Sequence, residues 1–242
     1  MIAPAQPGRW RLLLTPAIVT AGIGVAWLIF LTLNPVPTDQ YILNRDFVQA
    51  QFITHVELVA ISFAMAAGIG VPLGVAMAVA GRWLRIPVLI LANLGQAIPS
   101  IGVLVFFSIA FGLGFAPTVL ALVIYALLPI LRNTMVGLQG VDPAAVESAR
   151  GLGMTRLQSL LRVEVPLASP IIFSGLRTSL ILIVGTATLG SFVGGGGLGV
   201  VIASGINESD RIVFVGAVIV AALALLADWL LGLVERAAVP RT

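Results

Sequence analysis

Cysteine and lysine are both absent from these 242 residues, and histidine occurs once, as His55. Without cysteine there is no disulfide framework, no thiolate nucleophile and no cysteine-based metal site. A single histidine excludes a multi-histidine metal cluster within one chain. Without lysine there is no Schiff-base nucleophile, and the phosphate-gripping residue of a G-x-x-x-x-G-K-[ST] loop is missing. If the chain serves an ATP-driven machine, the ATPase lies on another subunit. Charge is scarce as well, at 10% of residues, against about 25% in soluble domains. No nucleophile–base–orienter set is visible, so the chain reads as no enzyme, with no catalytic residue, metal or cofactor.

What is present is apolar. Hydrophobic residues make up 59% of the chain, and the mean hydropathy is +1.11. That composition describes an all-α, polytopic membrane protein. A spanning helix needs about 20 mostly apolar residues. Leu12–Leu33 is uncharged and longer than the roughly 7–15 apolar residues of a signal peptide, so it reads as an anchor. Asn34–His55, with Pro35 and Pro37, reads as a loop. A second span is expected over Leu58–Ala80. The uncharged run Ile86–Leu131 suits two spans, Ile86–Ala110 and Pro117–Leu131, divided where Gly112, Gly114 and Pro117 fall. Leu167–Gly190 and Ile212–Val234 complete six. Residues 1–57 then form one unit, a first span with its loop, and residues 58–242 a five-helix core.

Arginine placement orients the bundle. With both termini inside, ten of the thirteen arginines lie on the cytoplasmic side, Arg45 and Arg211 outside, and Arg177 within the membrane. The pI of about 10.5 is therefore a membrane signal and not a nucleic-acid one, because the arginines are scattered between apolar spans.

One stretch, Arg132–Glu164, is long and charged. Asp142 is placed to cap a helix and Pro143 suits its first position. Gly151 and Gly153 end that helix. Thr155 starts a second, expected over Arg156–Val163 and stopped before Pro166. On pattern alone this is an amphipathic interfacial connector or something more specific. The run Glu147-Ser148-Ala149, three residues, Gly153, nine residues, Val163-x-Val165-Pro166 resembles the E-A-A-x3-G-x9-I-x-L-P loop of bacterial ABC importer permeases. Ser148, Val163 and Val165 are small or apolar exchanges within that pattern. Gln96-Ala97-Ile98-Pro99-Ser100, Leu128 to Thr134, Gly185 to Leu189 and Gly194–Gly199 are similar to the osmoprotectant branch, which imports glycine betaine, choline, carnitine or proline. The glycine run also occurs in methionine-type permeases.

The resemblance implies a type I ABC importer permease fold in the bacterial inner membrane. It implies cytoplasmic ABC ATPase subunits, a second permease forming a homo- or heterodimer, and an extracytoplasmic solute-binding protein as partners, besides the bilayer. Residues 132–166 would be the ATPase-coupling loop, with Asp142, Glu147, Ser148, Ala149, Gly153, Arg156, Val163 and Pro166 as its working residues. Glu147 would pair with an ATPase arginine or orient the loop. The small Ala149 would allow close approach. The other readings are an amino-acid permease, for methionine for example, and a structural membrane protein without transport.

Several polar residues lie inside spans. Arg177 and Asp228 are expected to form an intramembrane ion pair. Asn93, Gln96, Ser100, Thr186, Thr188 and Ser191 either line a solute path or bond helix to helix. Gly70-x-x-x-Gly74 is a helix-packing pattern. Pro72, Pro99 and Pro129 locally weaken their helices. Gly194-x-Gly196-x-x-Gly199 fits the dinucleotide fingerprint only formally, because no βαβ unit or following acidic residue accompanies it. His55, beside Glu57, reads as interfacial. Quaternary ammonium groups are usually held in aromatic cages. With 7% aromatic residues and no cage cluster, primary selectivity is expected on the external binding protein.

Overall fold

A computed structural model describes residues 17–24, 28, 32 and 37–238. The first expected span, Leu12–Leu33, therefore falls largely outside the described residues. Among the described residues every regular element is helical. After the short α1 (Pro37–Ile42) come α2 (Arg45–Ala80), α3 (Arg82–Ala97), α4 (Ser100–Phe111) and α5 (Phe115–Gln139). Two short helices follow, α6 (Pro143–Gly151) and α7 (Arg156–Ser159), then a π-helical turn over Leu160–Glu164. The chain ends with α8 (Val165–Ala187), a 3-10 turn over Thr188–Val193, α9 (Leu198–Gly205) and α10 (Asp210–Ala238).

The Asn34–His55 loop expectation is corrected. Asn44 caps α2 by accepting from the Phe47 N–H at 2.9 Å, and no proline or glycine interrupts residues 45 to 67. Polar composition there does not break the helix, because hydrogen bonding of the backbone is satisfied within it. At about 1.5 Å per residue, the 36-residue α2 far exceeds a hydrocarbon core of about 30 Å. Its polar first turns extend beyond the apolar part, or the helix tilts.

The third expected span, Ile86–Ala110, is also corrected. It is two helices, α3 and α4, bent by 100°. Pro99 pushes the preceding residue out of helical geometry, and Ile98 accordingly sits at φ −77°, ψ 132°. Four helical stretches among the described residues are long and apolar enough to cross a membrane, or five if the bent pair counts as one.

The centre of the bundle is α5, packed between α2 and α8. Leu58, Val59 and Ala66 of α2, Val119, Leu122, Val123, Ala126 and Ile130 of α5, and Leu180, Ile183, Val184 and Ala187 of α8 form its largest buried cluster. Between helices in lipid, burial of apolar surface contributes little, because lipid tails are as apolar as leucine. Close contact and interhelical hydrogen bonds carry the association instead. A Cβ on Gly70 would lie 2.8 Å from the Ile130 side chain, and one on Gly74 2.7 Å from Thr134. On the other flank, a Cβ on Gly175 would lie 2.6 Å from Asn133 Cβ and 2.8 Å from the Pro129 carbonyl. The buried Ser179 hydroxyl donates across the same seam to the Ala126 carbonyl at 2.8 Å. The Gly70-x-x-x-Gly74 pattern thus lies against α5.

Candidate coupling loop and membrane-embedded polar residues

The charged stretch folds from its local signals. Asp142 Oδ1 accepts from the Ala144 N–H at 2.9 Å, with Pro143 at the first turn of α6. Glu147, Ser148 and Arg150 are exposed on α6. Ala149 is only 3% exposed, so its small side chain serves the loop's own packing and not its outer surface. Gly153 turns the chain at φ +80°. Nothing lies within 4 Å of a Cβ built there, so backbone conformation and not space favours glycine. Thr155 and Gln158 then form a reciprocal capping box, with bonds of 3.3 and 2.9 Å. Arg156 is exposed, and Val163 and Pro166 are half-buried.

The expected stop before Pro166 does not occur. The chain passes from α7 through the π-helical turn into α8 without a break. The Val165 N–H bonds to the Leu160 carbonyl five residues back. Proline lacks an N–H and clashes with the carbonyl four residues before it. A widened turn just upstream absorbs that, leaving Pro166 within the first turn of α8 where a missing N–H costs nothing. From Arg156 onward the candidate loop is therefore continuous with α8, whereas α6, with Glu147 to Ala149, is set apart from it by the turn at Gly153. Across the π-helical turn, Ser159 Oγ donates to Glu164 Oε1 at 3.0 Å.

Arg177 and Asp228 meet. The guanidinium reaches across from α8 to α10 with Nε donating to Oδ1 at 2.7 Å and Nη2 to Oδ2 at 2.6 Å. This parallel, two-bond arrangement is the strong geometry for an arginine–carboxylate pair. A second carboxylate, missed in the sequence, lies at 3.5 Å: Glu235 Oε2 beside Nη1. Asp228, Gly232 and Glu235 are spaced four and three apart on one face of α10. Gly232 lies beside the guanidinium, where a Cβ would make only an ordinary contact, 3.8 Å from Nη1. The spacing 228–232–235 was the available signal for Glu235.

The remaining polar residues of the expected spans make separate contacts. Gln96 Nε2 bonds the Tyr125 carbonyl on α5 at 2.8 Å, joining two helices. Asn93, Thr188 and Ser191 bond to carbonyls within their own segments, at 2.6, 2.7 and 2.9 Å. Ser100 opens α4, and Thr186 lies half-buried near the end of α8.

His55 corrects the interfacial expectation. It is fully buried, where α2, α8 and the start of α9 meet. Its Nε2 lies 3.2 Å from the Val184 carbonyl, and its Nδ1 accepts from the Leu198 N–H at 3.3 Å. A carbonyl only accepts and an amide N–H only donates, so the contacts select the neutral tautomer with its proton on Nε2. Gly197, at φ +83°, passes over the ring; a Cβ there would lie 3.0 Å from Nδ1. Within the glycine run, Gly196 and Gly197 thus approach α2 closely, at Thr54 and His55, whereas Gly195 packs against Thr118 of α5. Its only sequence hint was the presence of one histidine just before an apolar span.

Comparison with known proteins places these features. A family model described as binding-protein-dependent transport system inner membrane component matches residues 70–239. The carnitine transport permease protein OpuCD of Listeria monocytogenes is 42% identical over 203 residues, covering 82% of this chain and 89% of that protein. The osmoprotectant import permease protein OsmW of Salmonella typhimurium is 39% identical over 211 residues, covering 84% and 98%. The glycine betaine/carnitine/choline transport system permease protein OpuCD of Bacillus subtilis is 38% identical over 204 residues, covering 83% and 88%. Among solved structures, an inward-facing form of the MetNI methionine ABC transporter superposes with a TM-score of 0.71 at 22% identity, over 85% of this chain and 100% of that one. An amino acid ABC transporter with histidines gives 0.66 at 20% identity, over 84% and 100%. At such identity these two likenesses speak for the fold alone.

Proposed function

Because the chain belongs to the family of binding-protein-dependent transport system inner membrane components, we propose that it forms the membrane path of an ATP-driven importer for a compatible solute. Glycine betaine, choline, carnitine and proline are the candidates. The observation that carries this reading is the agreement of three relatives named for carnitine, osmoprotectants or glycine betaine, each covering more than four-fifths of this chain. An amino-acid cargo has less behind it, since the methionine ABC transporter and the amino acid ABC transporter with histidines share only 22% and 20% identity.

In this proposal the loop 132–166 docks on a separate ATPase subunit, and a second permease and an external solute-binding protein complete the machine. The exposed Glu147 supports a docking role, because it has no ion-pair partner among the described residues. The continuous run from α7 into α8 supports it too, since a rigid connection passes ATPase closure to the membrane helices as a rigid-body movement. ATP hydrolysis belongs to the partner. Residues 1–57 are an added unit on a five-helix core, and both termini face the cytoplasm. Because the chain is free of cysteine, single cysteines placed at Arg82 and Asn207 report sidedness directly. Labelling of Arg82→Cys from outside intact cells would refute the orientation.

The function is tested by uptake of labelled betaine, choline, carnitine, proline and methionine in a strain lacking this chain, with and without its return. Restored uptake of a quaternary ammonium solute or proline is expected. Restoration of methionine uptake alone would overturn the assignment.

A further inference from the structure

A cleft of about 150 Å³ opens where the ends of α2 and α5 meet the candidate coupling loop. Arg150, in the last turn of α6, and Arg156, in the first turn of α7, both line it. They flank the tight turn at Gly153. Neither has a carboxylate within salt-bridge distance among the described residues. The cleft's one acid, Glu164, already accepts from Ser159 Oγ at 3.0 Å. Two arginines against one carboxylate leave the lining with a net charge of +1.

The rest of the lining has different chemistry. Ala78 and Val79, from the end of the α2 span, and Leu160 present an apolar surface. On the same turn, Leu157 and Leu161 are 63% and 59% exposed, four residues apart and hence on one helix face. Exposed leucines beside a membrane-span end suit burial at the acyl boundary. The site therefore offers guanidinium groups to an anion and apolar surface to whatever the anion is attached to. Arginine recognises phosphate by parallel charge-assisted bonds, and a cavity of about this volume takes a group as large as benzene. A tetrahedral phosphate is smaller.

We propose that this cleft binds the phosphate of an anionic phospholipid, clamped between Arg150 and Arg156, with its chains along Ala78, Val79 and the exposed leucines. Basic pockets beside helix ends are a known physical solution for lipid headgroups. Occupancy would tie the turn between α6 and α7 to the bilayer surface, so that the loop's position depends on local lipid charge. The inference concerns a ligand and stands whether or not the chain moves solute.

The test uses the full-length chain, delipidated in detergent and titrated with phosphatidylglycerol, phosphatidylcholine or inorganic phosphate, with native mass spectrometry as readout. Phosphatidylglycerol is expected to be retained in preference to phosphatidylcholine. R150Q/R156Q is expected to lower that retention roughly 30-fold, the factor that two surface arginines supply against anionic lipid. R82Q/R132Q, at exposed arginines outside the cleft lining, is expected to leave it unchanged. Competition by inorganic phosphate would support the phosphate as the recognised group. Inorganic phosphate binding without lipid binding would overturn the lipid assignment, as would equal retention of both lipids or an unaltered R150Q/R156Q. If the double variant does not fold, R150Q and R156Q singly are each expected to lose about fivefold, and no loss in either refutes the site.

Discussion

The pair between Arg177 and Asp228 makes a quantitative prediction. Replacing Asp228 by leucine removes both short bonds, at 2.7 and 2.6 Å, and leaves the guanidinium only Glu235 at 3.5 Å. Breaking a fully buried pair by deleting one partner costs about 3–5 kcal/mol. An arginine at mid-membrane costs about 2.5–3.5 kcal/mol on insertion scales. The side chains here are 39% and 22% exposed, and Glu235 remains, so the expected loss is lower, about 2 kcal/mol. Arg177→Leu leaves Asp228 and Glu235 together on one face without their cation. That costs about 2–3 kcal/mol. The double replacement R177L/D228L removes the pair together and leaves only the partly exposed Glu235 without a cation, so it is expected within about 1 kcal/mol of the parent. The coupling energy is then about 3–5 kcal/mol. Unfolding of the detergent-solubilised chain by titration with a denaturing detergent, followed by helical circular dichroism, measures all four corners. If the single losses simply add in the double variant, the two groups do not act as a pair and the reasoning is wrong. The swap R177D/D228R is expected to recover part of the loss, limited by repulsion between the carboxylate introduced on α8 and that of Glu235.

Other expectations follow from the same contacts. Gly175→Val forces a side chain into Asn133 Cβ and the Pro129 backbone, 2.6 and 2.8 Å from a bare Cβ; a loss of about 1–3 kcal/mol is expected in the same assay, and parent-like stability would show that the α5–α8 seam can open. The chain holds one histidine, so nitrogen-15 spectra of histidine-labelled protein report a single ring. They are expected to show a protonated Nε2 and an unprotonated Nδ1, and the opposite tautomer would contradict the contacts to Val184 and Leu198. Gly153→Asp and Glu147→Arg are expected to abolish solute uptake at unchanged membrane levels, the first through the positive φ of residue 153 and the second by reversing the charge of an exposed docking residue. Full uptake in either would remove that residue from the coupling role.

What could be read in advance follows a physical divide. Asp142, Pro143, Gly153 and Thr155 announce themselves because capping and turn chemistry act within a few residues. Their structure in the loop follows those local rules. Pro166 shows the limit even of local rules. A proline permits two outcomes, a helix stop or a first-turn position, and the choice depends on whether the preceding turn can widen. Pro99 goes the other way: Ile98 before it leaves helical geometry, and the chain bends by 100° between α3 and α4. Composition misleads at residues 45–55, where polarity suggests a loop although no residue there breaks a helix. His55 lies beyond any local reading, since its partners Val184 and Leu198 stand 129 and 143 residues away. Arg177 is different: an uncompensated cation in an apolar span demands a partner, and only one acidic residue, Asp228, lies well inside another span. Scarcity of charge is what makes that long-range contact readable. Where a side chain's burial is costly without a partner and candidates are few, tertiary pairing can be argued from sequence. Where it is cheap, as for a neutral imidazole, the fold has to be seen.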